Sequence, residues 1–105
     1  MEIGGYDLKI IVVEPLTNKD LANQIMEFVN WPNSIKEDAS LDGSDEFFWY
    51  RDAKALKAWD DDVEENTMIH FIFENKDRLT VVSDKKHHEE ICSFLKSKKE
   101  AIIEE

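Results

Sequence analysis

The chain has 105 residues, 42% of them apolar and 35% charged, which suits one globular domain over 1–105 with a single core. Twenty-four acidic residues against thirteen basic ones give a formal charge of -11. That balance argues against general nucleic-acid binding, which needs clustered Lys and Arg, and against anionic membrane surfaces; a basic protein is the expected partner.

Residues 6–13 read as the first strand. Ile10, Ile11, Val12 and Val13 are consecutive β-branched residues, the pattern of a strand buried on both faces, and Pro15 ends it because proline cannot donate to a ladder. Thr17 is an N-cap for a helix over 17–29, with Leu21, Ile25, Phe28 and Val29 at helical spacing and Asp20 in the first turn, where the helix dipole favours a negative charge. Pro32 stops it, since the residue before a proline is biased away from helix.

The pattern from 34 to 45 is weak, and residues 42–45 carry turn chemistry. Residues 46–51 form the next expected strand, with Phe47 and Trp49 facing one way and Phe48 and Tyr50 the other. Asp52 then caps a short helix with Leu56, Trp59 and Val63 on one stripe. Residues 68–73 are a core strand, 74–77 a hairpin turn, and 78–83 the returning strand. Ser83 or Asp84 caps a last helix whose core stripe is His88, Ile91, Cys92 and Leu95, with Ile102 as its far limit.

These elements give an α+β domain: a mainly antiparallel four-stranded sheet with two long helices and one short helix packed against it, in the order β-α-β-α-β-β-α. The start of the chain lacks a basic segment followed by an apolar run, and the longest purely apolar run is residues 10–13. A soluble, cytoplasmic protein is therefore expected.

The charge is concentrated. Residues 37–65 hold eleven acidic residues and three basic ones, a net of about -8, together with Phe47, Phe48, Trp49, Tyr50 and Trp59. Residues 60–65 resemble a calcium loop in acid count only, lacking alternating ligand positions and a turn glycine, so no metal site is expected. His87 and His88 are adjacent and diverge by about 100° on a helix, while His70 reads as a hydrogen-bonded core histidine. Cys92 is the single cysteine, which excludes an internal disulfide, and its place on an apolar stripe marks it as inert. With Gly4, Gly5 and Gly43 as the only glycines there is no phosphate loop, so neither cofactor nor catalysis is expected.

Binding remains. Trp31, Trp49, Tyr50 and Trp59 are candidate anchors, and Asp42, Asp45, Glu46, Asp60, Asp61, Asp62, Glu64 and Glu65 a candidate rim that steers a basic partner. In size and charge the chain resembles the small acidic immunity proteins of nuclease toxins. The resemblance implies a monomer that joins a toxin domain in a heterodimer and blocks its cationic cleft. The alternatives are a DNA-mimicking inhibitor of a DNA-binding protein and a regulatory or accessory subunit.

Overall fold

The computed structural model describes residues 6–38, 45–58 and 68–104. Nine elements follow one another: β1 (Tyr6–Val12), α1 (Asn18–Val29), β2 (Ile35–Asp38), β3 (Asp45–Tyr50), α2 (Ala53–Ala58), β4 (Met68–Asn75), β5 (Arg78–Ser83), α3 (Lys85–Lys96) and β6 (Ala101–Glu104). The strands make one sheet in the order β2-β3-β4-β5-β1-β6, every neighbouring pair antiparallel. The class is α+β as the patterning implies, but the sheet has six strands rather than four.

The pairings make β1 parallel to β4 with β5 between them, and β5 parallel to β6 with β1 between them. With α1 and α3 as the connections, these are two interleaved split βαβ units. The β2–β3 pair and α2 fall between α1 and β4 in the chain, and they extend the sheet beyond β4. That extension shapes the candidate site.

Alternation along the strands separates two faces. Leu8, Ile10 and Val12 of β1, Ile69, Phe71 and Phe73 of β4, Leu79 and Val81 of β5 and Trp49 of β3 share the face covered by the helices. Leu21, Ala22 and Ile25 of α1 and Ile91 and Leu95 of α3 complete this core. Burying such a side chain contributes about 1.5–3 kcal/mol, so this layer dominates the stability. The expectation that β1 is buried on both faces is corrected here: Ile11 is half-buried on the opposite face and Val13 lies exposed beyond the strand. The β-branched run reports strand propensity, while α1 and α3 cover one side of β1 only.

Caps set the helix limits. Thr17 Oγ1 accepts the Asp20 N–H at 3.1 Å, and Asn30 ends α1 in the left-handed region at φ 60°, its N–H donating to Met26 O. Asn tolerates that conformation better than most residues. Asp52 caps α2, accepting the Ala55 N–H at 2.9 Å, and Asp84 caps α3. The last helix ends at Lys96 rather than reaching Ile102: the Lys98 N–H bonds Leu95 O, the chain turns, and 101–104 pair with β1 instead. The buried stripe of α3 is His87, Ile91 and Leu95; His88 and Cys92 lie beside it, half-buried. Among the described residues no helix is long and apolar enough to cross a membrane.

Candidate functional site

The site lies where the helix layer gives out. α1 packs over β4 and β5, so the β3–β2 extension projects past it and leaves a groove of about 440 Å³. Met26 and Glu27 of α1 form one wall, Lys36 of β2 the other, and Trp31 and Ser34 from the connecting loop close one end. Trp49 forms part of the floor.

Trp31 packs between two aromatic neighbours. Its ring stacks on Trp49 with centroids 4.5 Å apart and 24° between the planes, and His87 meets it at 5.4 Å and 85°. Stacking of this kind adds about 0.5–1.5 kcal/mol beyond area burial. His87 is itself held: its Nδ1–H donates to Asp84 Oδ1 at 2.6 Å, while Asp84 Oδ2 accepts the His87 backbone N–H at 3.3 Å. A carboxylate only accepts, so this bond places the imidazole proton on Nδ1. One capping residue thus orders the first turn of α3 and a ring packed on Trp31.

The aromatic row continues from Trp49 through Phe71, Phe47 and Phe73. Two lysines lie on it. Lys36 Nζ is 5.2 Å from the Phe47 ring centroid, and Lys19 Nζ is 4.9 Å from that of Phe73 and 2.6 Å from Asp45 Oδ2. Glu27 in the groove lining is exposed, as are Asp38 on the Phe47 face of β2 and Glu37 on its other face.

On the opposite face Glu46 accepts from His70 Nε2–H at 2.7 Å, with Phe48 at 4.3 Å from the imidazole. His70 is hydrogen-bonded as expected, but it stands half-buried on this second face rather than in the core. Tyr50 is also on this side and is 2% exposed, beside α2, which packs on β3 and buries Ala55.

The predicted site residues therefore separate. Trp31 is partly buried at the groove. Trp49, 3% exposed, supports it from below, and Tyr50 is buried on the other face, so neither is a surface anchor. Their strand places both within packed layers, where large aromatics bury most area. Asp45 is exposed but paired with Lys19, and Glu46 is engaged with His70, so these two acids belong to internal pairs. Asp42, Trp59, Asp60, Asp61, Asp62, Glu64 and Glu65 lie outside the described residues.

The groove also uses Glu27 and Lys36, which sequence patterning did not single out because each is one charged residue among many. Among the described residues no three His, Cys, Asp or Glu side chains gather as metal ligands. Burial, with Glu89 nearby, pushes the Cys92 thiol above its ordinary value against the opposing pull of Lys96, so it is protonated at neutral pH. Comparison of the chain with family models, curated proteins and solved structures finds no match.

Proposed function

We propose that this chain is a small acidic binding protein that inhibits a basic protein, and specifically an immunity protein that blocks the cationic cleft of a nuclease toxin. The observation that carries the proposal is the partly buried Trp31, backed by Trp49 and lining a groove with the exposed acid Glu27. A rigid tryptophan loses little conformational freedom on binding and is the residue type that most often dominates an interface. Glu27 beside it and the formal charge of -11 raise the encounter rate with a cationic surface. A nuclease cleft is cationic because it holds phosphates, so an anionic face of this size competes for the same groups without chemistry of its own.

The test takes the protein encoded next to this chain's gene, which the proposal expects to carry a basic nuclease domain, and asks whether this chain inhibits it. An equimolar amount of the wild-type chain should abolish cleavage. Trp31→Ala should weaken inhibition by roughly thirtyfold, the equivalent of a hot-spot loss of about 2 kcal/mol. Full cleavage in the presence of excess wild-type chain rejects the proposal.

A further inference from the structure

We propose that β2 is a docking edge, along which an extended basic segment of a partner protein adds as a further strand. The inference rests on reading the chain as an acidic binding protein, and it names how the partner is held. Among the described residues β2 is the outermost strand at its end of the sheet, pairing with β3 through Ile35–Tyr50, Lys36–Trp49, Glu37–Phe48 and Asp38–Phe47. An outer strand presents backbone donors and acceptors on its far side, and strand addition uses these for affinity and alternate side chains for specificity.

The two faces of β2 ask for different side chains. Lys36 lies on the groove side, its ammonium over the Phe47 ring, with Trp31 beyond it and Asp38 further along the strand on the same face. Apolar residues of an incoming strand suit the part of that side beside Trp31, where a cation would meet Lys36. Glu37 lies on the opposite face, exposed, next to the half-buried Phe48 with which it pairs. Basic residues suit that side. The complement of β2 is therefore a strand alternating apolar and basic residues.

A second copy of this chain fits badly. Antiparallel addition that keeps each face with its like requires a register centred on one residue. Centring on Glu37 sets two glutamates directly opposite, and centring on Lys36 does the same with two lysines. Each copy also carries -11. Like charges directly across strands destabilise a pair.

The probe is an end-blocked eight-residue peptide alternating arginine and valine, with a peptide of equal composition in two blocks as control. Backbone amide and Trp31 indole NMR signals report where it docks. The expected result is saturable shifts at residues 35–38 and at Trp31 with the alternating peptide. Affinity should fall at least tenfold for the block peptide and for an alternating peptide N-methylated throughout, which keeps the charges and removes every backbone donor. Glu37→Lys should weaken the alternating peptide by a similar factor without moving the melting temperature. Equal affinity of the N-methylated peptide, shifts mapping away from β2, or no binding each overturns the inference. Nuclease inhibition is scored separately, so an inhibitor that ignores this peptide refutes the docking edge and leaves the proposed function standing.

Discussion

Two tryptophans stacked face to face divide their roles by burial. Trp49, 3% exposed, is core, and Trp49→Ala should destabilise the fold by about 3–5 kcal/mol in urea denaturation. Trp31 is only partly buried, so its removal should cost less stability and show chiefly in binding. Equal losses of stability from the two substitutions would remove Trp31 from the site and make it a second core residue. Asp52 supplies a pH test. The Ala55 N–H, with Arg51 beside it, holds the Asp52 carboxyl below its ordinary 3.8 against the opposing effect of desolvation. A lowered folded-state value means that the stabilisation is complete above 3.8 and disappears as pH falls through the folded value. The melting temperature of Asp52→Ala should therefore lie below wild type near neutral pH, and the gap should close in strong acid. A gap constant throughout would show that the carboxylate charge plays no part in the cap.

At the scale of elements, what could be read depended on where each element gets its stability. α1 announces itself locally, through the Thr17 cap and an apolar stripe at helical spacing, and the β4–β5 hairpin through alternation. β2 has one apolar residue in Ile35–Asp38 and becomes a strand because β3 offers it a ladder. β6 misled in another way. Ile102 follows Leu95 by seven residues, a helical interval, yet Ser97 ends the helix and the chain returns to fill the free edge of β1. Both errors share a cause: pairing partners distant in sequence override local pattern. The aromatic strand shows the same limit, since its alternation separated Phe47 and Trp49 from Phe48 and Tyr50 correctly, whereas exposure depends on α1, α2 and the Trp31 loop. One long-range tie fixes the hairpin to the helix layer. The buried Asn18 side chain donates to the backbone carbonyls of Asn75 and of Arg78, the latter at 3.0 Å. Asn18→Ala should cost about 1–3 kcal/mol by leaving those carbonyls without their donor, and unchanged stability in urea would mean that water replaces it fully.

For the whole molecule, the formal charge of -11 is the property most directly tied to the proposed function, because it acts before contact is made. Lys19 and Lys36 lie over aromatic rings of the sheet, and Lys19 also pairs with Asp45, while Glu27 is exposed in the groove beside Trp31 and Glu37 on the other face of β2. Electrostatic attraction between exposed charges is screened over about 8–10 Å near physiological salt, so steering should weaken sharply as salt is added. The most direct test is the association rate with the basic nuclease domain, measured by stopped flow from about 20 mM to about 200 mM salt. An acidic inhibitor steered onto a cationic cleft should associate at least about tenfold more slowly at the higher salt, with little change in its dissociation rate. A rate that stays flat across that range would contradict the account.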